Sequence, residues 1–426
     1  MKTKLLLLLL ILTTSYLNAQ VVNIPDPNFL IRLINHTAWG GVHIDTNNNY
    51  QIEVSEAEAV TADIIVYSPW NSENMIVDMT GIEAFINITG LDCSYNQIES
   101  LDLNQNTLLE YLDCSTNNIH SLNVSQCTAL VELDCSENDL TSIDVSNSHS
   151  LVDLICNTNN ITTLTTSEFN TELTDIWCGG NEINSLDLSF LISLERLGCT
   201  YNNLSSLDLY NNINLSFLSC AYNQITYLDI SQNLLLNILA FKNNMITSID
   251  VSHCTLLESI RGSENQLMEI DLSLNSKLKI VELENNQLIA MNIRNTNNTI
   301  ITDFDVTNNP SLICIFVDEA IYSKENWTNV DITSHFVNNQ EECDAIGLDD
   351  LDVQQTFTIY PNPSTDIFTI KTDIPFYSIK IYNAMGKLIT NLPKQDTYNV
   401  STINSGVYTL QILTKNNTIT KKIIIK

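Results

Sequence analysis

Between Leu91 and Leu288 the hydrophobic and polar positions repeat in one frame, Leu-x-x-Leu-x-Cys-x-x-Asn-x-Ile/Leu. Leu109, Leu112, Cys114, Asn117 and Ile119 are one copy, and Leu194, Leu197, Cys199, Asn202 and Leu204 are another. Its asparagines are Asn96, Asn117, Asn138, Asn159, Asn181, Asn202, Asn223, Asn244, Asn265 and Asn286, 21 residues apart except for a single step of 22 from Asn159 to Asn181. Within the frame, Leu112-x-Cys114 has the period of two that sends both side chains to one face of a strand. So short a strand cannot hold itself, and it predicts a rung of a parallel sheet with neighbours about 4.8 Å away. The Asn amide then has to satisfy the backbone groups freed where the chain turns.

A second apolar pair follows ten residues after the first, as in Leu101/Leu103, Leu122/Val124, Leu207/Leu209 and Ile270/Leu272, with Leu164-Thr165-Thr166 as its weak member. Each coil is therefore expected to have two short extended sides joined by turns, with no room for a long helix. A fixed period between about 20 and 29 residues in this frame is the signature of a leucine-rich repeat. The expected fold is mainly β, a solenoid of about ten 21-residue coils over residues 81–293, with caps at 20–80 and 294–344 to cover the ends of its core.

The cysteines follow the repeat. Cys93, Cys114, Cys135, Cys156, Cys178, Cys199 and Cys220 share the inward strand position, which later coils fill with Phe241, Gly262 and Leu283. In register, their Cβ atoms lie near 4.8 Å apart, beyond the roughly 3.5–4.5 Å of a disulfide. They read as small buried apolar groups. Cys127 and Cys254 occupy another phase, shared with Asn106, Asn212, Asn233 and Asn275. Cys314 and Cys343 fall beyond the regular frame and are candidates for a disulfide in the C-terminal cap.

At the N-terminus, Lys2 and Lys4 precede the run Leu5–Leu12, and Leu17-Asn18-Ala19 offers a cleavage site, so residues 1–19 read as a secretory signal peptide. Asp26-Pro27 predicts a capped helix that turns Phe29, Leu30, Leu33 and Ile34 to one side. The segment Asp45–Glu56 resembles a calcium-binding EF-hand loop. The resemblance makes calcium the candidate cofactor, with Asp45, Asn47, Asn49, Gln51 (through its carbonyl), Glu53 and Glu56 as ligands. Tyr50 stands where that loop has glycine. The bland alternative is an Asn-rich turn that caps the helix beginning at Ser55.

Residues 345–351 read as a linker, after which Glu disappears and alternating strands begin. The runs 356–360, 368–371, 378–382, 407–412 and 418–425 predict a small Ig-like β-sandwich over 352–426. Tyr360-Pro361-Asn362-Pro363-Ser364, Ile381–Gly386, Ser405-Gly406-Val407-Tyr408 and the closing Lys421–Lys426 resemble the type A C-terminal sorting domain of the type IX secretion system of Bacteroidota. That resemblance implies recognition by the secretion machinery, passage across the outer membrane, and a product held at the cell surface or released. The repeats are similar to the short leucine-rich repeats of secreted bacterial proteins.

Net charge is −32. Residues 20–344 hold 44 Asp and Glu against 8 Lys and Arg, whereas 345–426 hold 6 against 8. Such acidity argues against nucleic acid as a partner. The six histidines share no spacing, and no phosphate loop, zinc frame or nucleophile elbow is present, so no enzyme is expected. No stretch has the length of a membrane span. The positions flanking Leu-x-Cys should face outward, and Tyr111, Asp113, Asp134, Ile155, Trp177, Arg196 and Phe217 form the candidate ligand-binding set, with Trp177 and Phe217 as anchors. The expected function is adhesion to a protein or glycan. The alternative is a structural surface coat without a ligand. A row of aspartates on the second side, from Asp102 to Asp271, is expected to be held by local N–H groups or else bridged by cations.

Overall fold

The computed structural model describes residues 20–39, 41–68, 74–349, 357–372, 375–383, 386–395, 397–414 and 418–426. The candidate signal peptide lies outside them. The chain divides into two compact units, one ending at Asn339 and the other running from Gln340 to Lys426.

Among the described residues, the first unit is built on a twelve-stranded parallel sheet that runs from Ile64–Ile65 to Asp303–Asp305. After the two-residue first rung its rungs are three residues long and in register, so that Leu112 pairs with Leu133 and Leu133 with Leu154. The sheet outruns the Asn frame at both ends. Ile64–Ile65 opens it from within the expected N-terminal cap, and Asp303–Asp305 adds a rung where the step lengthens to Asn309.

The asparagines explain why the register is unique. Asn117 donates through Nδ2 to Cys114 O (3.1 Å) and Ser115 O (3.1 Å) of its own coil, and to Cys93 O (3.1 Å) one coil back. Its Oδ1 accepts the Ile98 N–H of that preceding coil at 3.0 Å. The same set recurs at Asn138 and Asn202, and again at Asn309 despite its longer step. The Leu and Cys side chains between these corners are fully buried in one continuous core. Gly262 belongs to that core because the Phe241 ring fills its place: a Cβ there would lie 2.2 Å from Phe241 Cζ.

The second side of each coil is less regular. It pairs as strands at Ser142–Asp144 with Thr163–Thr165, and in a four-stranded parallel sheet from Glu269–Asp271 to His335–Val337. Leu164, the weak member of the pattern, therefore lies in a strand after all, since its neighbours supply the ladder. The extra residue of the long coil is absorbed in the turn at Ser167–Asn170. There Asn170 Oδ1 accepts the Ser167 N–H (2.7 Å), and the first sheet keeps its register from Leu154 to Ile176.

The N-terminal cap contains a helix at Pro27–Ile34. Asp26 caps it through Oδ1, and its Oδ2 accepts the N–H groups of Val77 (2.7 Å) and Asp78 (3.1 Å). Phe29 and Leu33 close the open end of the core.

In the second unit a helix, Gln340–Asp349, covers most of the stretch that reads as a linker. A three-stranded and a four-stranded antiparallel sheet follow, sharing a core of Phe368, Tyr398, Ile379, Ile381, Leu410, Ile412 and Ile423. The strands at Leu388–Pro393 and Tyr398–Asn399 are additional to those read from sequence. Of the sorting-domain motifs, Ala384 and Met385 lie outside the described residues.

Candidate functional site

The outward side chains of the first sheet form two parallel rows. One runs Tyr111, Glu132, Asp153, Asp175, Arg196, Phe217, Ile238. The other runs Asp92, Asp113, Asp134, Ile155, Trp177, Gly198, Ser219. All seven candidate ligand-binding residues stand in these rows, over six rungs whose five steps span roughly 24 Å.

The N-terminal half is acidic. Asp113 and Asp134 each accept N–H and O–H bonds from the serine two residues on, at 2.6–2.9 Å. Burial pushes the Asp134 and Asp153 carboxyls above their ordinary range, and neighbouring carboxylates add to the shift. Burial, again with the surrounding acids, raises the Tyr111 phenol. Arg196 is less available than the sequence implies, because its Nε bonds Asp175 Oδ1 within the same row.

The C-terminal half is aromatic. The Trp177 and Phe217 rings meet at 5.4 Å, tilted by 51°. They stand on different rungs, with Gly198 between them, and the glycine makes the contact possible: a Cβ there would lie 2.4 Å from Trp177 Cε3. Beside them, Gly180 (φ 66°) holds the left-handed corner that other coils give to Tyr95, Thr116, Glu137, Thr158 and Tyr201. The side-chain row breaks at that corner. A pocket of about 370 Å³ results, walled by Trp177, Phe217 and Tyr201, and floored by Gly179, Gly180 and Gly198. Asn157, Thr158, Thr200 and Ser219 complete its lining. Tyr201 is braced by Tyr222, stacked at 4.1 Å. Sequence reasoning found Trp177 and Phe217 but missed Tyr201 and the glycines. The available signal was the cluster Gly179-Gly180 with Gly198 one coil later.

The segment Asp45–Glu56 is a compact turn whose polar groups bond one another. Asp45 accepts from the N–H groups of Asn49 (3.1 Å) and Tyr50 (3.0 Å). Glu53 accepts from the Asn47 (3.0 Å) and Asn49 (2.7 Å) amides, and the Asn49 oxygen accepts the Gln51 N–H at 2.9 Å. Glu56 accepts from Thr46 N–H (2.8 Å) and O–H (2.7 Å), and from Glu53 N–H (3.2 Å), which forms a capping box for the helix Val54–Ala59. Burial opposes ionisation of Glu56, but the bonds from Glu53 and Thr46 prevail and hold its carboxyl down to about 2. Tyr50 takes the left-handed φ of 65° that a glycine would supply. Among the described residues, no three His, Cys, Asp or Glu are grouped to hold a metal ion.

Cys314 and Cys343 are disulfide-bonded, and the other nine cysteines are free and buried. Burial pushes the Cys178 and Cys220 thiols up to about 12. The second-side aspartates are each held by the N–H two residues on, as in Asp187 to Ser189 (3.0 Å) and Asp250 to Ser252 (2.9 Å).

Residues 358–426 match the family described as the secretion system C-terminal sorting domain. No curated protein sequence matches the chain. The fold is similar to the functional domain of InlJ from Listeria monocytogenes, described as including a cysteine ladder. The alignment has 23% identity and a TM-score of 0.52, covering 96% of this chain and 100% of that one. An internalin, InlF, from the same species aligns at 20% identity and a TM-score of 0.55, covering 71% and 99%. These likenesses concern the fold. The repeat and its parallel ladder define a leucine-rich-repeat solenoid. With the C-terminal match, the chain is a leucine-rich-repeat protein carrying a type IX secretion sorting domain, which implies export to the cell surface or the medium. Among the described residues, no helix is long and apolar enough to cross a membrane.

Proposed function

We propose that the solenoid is a non-enzymatic adhesion module that binds a protein or glycan through the outward face of its first sheet. The C-terminal domain delivers it through the type IX secretion machinery. One observation carries this reading: Trp177 and Phe217 form an aromatic pair on the outward face of the sheet, beside an open pocket. Such a cluster is costly to leave in water and serves as an anchor when a ligand covers it. The InlJ and InlF likenesses agree with a surface protein but do not name a ligand. Beads coated with the full-length protein should adhere to host or neighbouring cells, and the double substitution Trp177→Ser, Phe217→Ser should abolish adhesion while leaving the melting temperature within a few degrees. Unchanged adhesion would leave the structural-coat alternative.

A further inference from the structure

We infer that the pocket beside Trp177 is a subsite for an uncharged sugar ring. This rests on the adhesion reading above and narrows it to one ligand class.

The first argument is charge. The chain carries −32, and Asp134, Asp153 and Asp175 stand within two rungs of Trp177. Yet no charged side chain lines the pocket. A basic peptide side chain buried there would find no carboxylate to pair with, and burying an unpaired charge is costly. The acidic rungs outside disfavour sialylated or uronic-acid ligands.

The second argument is the kind of surface offered. Trp177, Phe217 and Tyr201 supply aromatic faces, whose negative quadrupole attracts the weakly positive C–H face of a pyranose. Around them stand neutral groups able both to donate and to accept: the hydroxyls of Thr158, Thr200 and Ser219, and the Asn157 amide. Those three hydroxyls make no hydrogen bond to another described residue, whereas the Ser115 and Ser136 hydroxyls, at the position Thr200 holds in its coil, are occupied by their aspartates. The Asn157 oxygen is fixed by the Gly179 N–H at 2.6 Å, which fixes the orientation of its amide. An apolar face ringed by equatorial hydroxyls is what this arrangement complements. At about 370 Å³ the pocket lies at the lower end of small-molecule sites, so it takes a terminal residue or a single unit of a chain rather than a folded domain.

The third argument is that the cavity is built by omission. Gly180 sits at a left-handed corner where most coils carry a side chain, and an added Cβ there meets only ordinary contacts of 3.5 Å with Thr158. Glycine relieves the strain of that positive φ, but Thr116, Glu137, Thr158 and Tyr201 hold the same corner with side chains, so the fold tolerates one there and the open pocket does not.

The full-length protein is to be applied to an array of neutral, sialylated and uronic-acid-bearing oligosaccharides, alongside Gly180→Thr and Trp177→Ala. The threonine variant takes a left-handed backbone that Thr158 already adopts at the same corner, so it should fold and melt within a few degrees of the parent. The expected result is binding to neutral saccharides only, reduced about tenfold or more by either substitution. Absence of neutral-saccharide binding, or binding that Gly180→Thr leaves intact, overturns the sugar subsite. If bead adhesion nevertheless depends on Trp177 and Phe217, the adhesion reading survives and its ligand is a protein. If adhesion is also indifferent to them, both readings fail.

Discussion

Replacing Asn138 tests the corner that sets the register. The residue is 8% exposed and makes four bonds: Nδ2 to Cys114 O (3.0 Å), Cys135 O (3.2 Å) and Ser136 O (3.1 Å), and Oδ1 from Ile119 N–H (2.9 Å). These losses are unequal. Cys114 O keeps the Asn117 amide, Cys135 O keeps the Asn159 amide, and Ser136 O keeps the Thr116 N–H. Only the Ile119 N–H loses its sole partner. An orphaned buried donor costs roughly 1–3 kcal/mol, and the lost amide donations bring Asn138→Leu to about 2–4 kcal/mol. Asn138→Asp separates the two halves of the amide. It keeps an acceptor for Ile119 but turns an oxygen toward three carbonyl oxygens, so it should cost at least as much at pH 7. Its deficit should shrink as the pH falls and the new carboxyl gains a proton to donate. Urea unfolding followed by circular dichroism reads both variants, with Asn118→Asp at an exposed position of the preceding coil as control. If Asn138→Asp unfolds within about 0.5 kcal/mol of the control, the amide donations contribute nothing and the account of the corner is wrong.

Three further outcomes follow from the charges and thiols. Asp92, Asp134 and Asp153 have folded-state carboxyls raised by burial, so the folded state takes up their protons first and stability should rise as pH falls through those values. Bonds from Ser189, Ser231 and Ser252 hold Asp187, Asp229 and Asp250 below the ordinary 3.8, so stability should then fall as they are protonated. A scan of melting temperature from pH 7 to 2.5 should therefore pass through a maximum, and Asp92→Asn with Asp134→Asn should flatten its neutral limb; a monotonic profile refutes the assignment. The nine free thiols should resist iodoacetamide at pH 8 in the native protein and all react in denaturant, as read by mass spectrometry, because burial keeps them protonated and out of reach. Because the Asp45–Glu56 polar groups already bond one another, EDTA should leave the melting temperature unchanged; a drop of several degrees, absent in Asp45→Ala, would establish a calcium site there.

The repeat was legible because its physics is local and periodic. Leu112, Cys114 and Asn117 each do the same work in every coil, so spacing alone placed strand, core and corner. The ends were harder to read. Ile64–Ile65 carries no Cys or Asn frame, and Asp303–Asp305 follows a lengthened step, so pairing with a neighbour makes them strands. Leu164 shows the same dependence. In the sorting domain, Leu388–Pro393 was passed over because its alternation is weak and its burial slight. The outward rows were legible by counting, whereas the pocket was not. It depends on what three glycines lack, and on the register that sets residues 21 apart side by side. The ion pair of Arg196 with Asp175 was not legible, because it crosses coils.

The Asn bonds also have a direction. Each Oδ1 reaches one coil toward the N-terminus, so a coil's last unsatisfied N–H is met only by residues that come later in the chain. A polypeptide growing or emerging from its N-terminal end therefore zips with a lag of one turn, and every provisional end is left unfinished until the next arrives. At Asn309 the series stops, and Asp331 accepts the N–H groups of Asn308 (2.9 Å) and Asn309 (2.6 Å), which earlier coils, as at Thr116 and Asn117, donate to backbone carbonyls of the next coil. That carboxylate acts as a full stop. A chain cut before residue 331 would keep nearly all of its coils but lack the group that terminates the propagation.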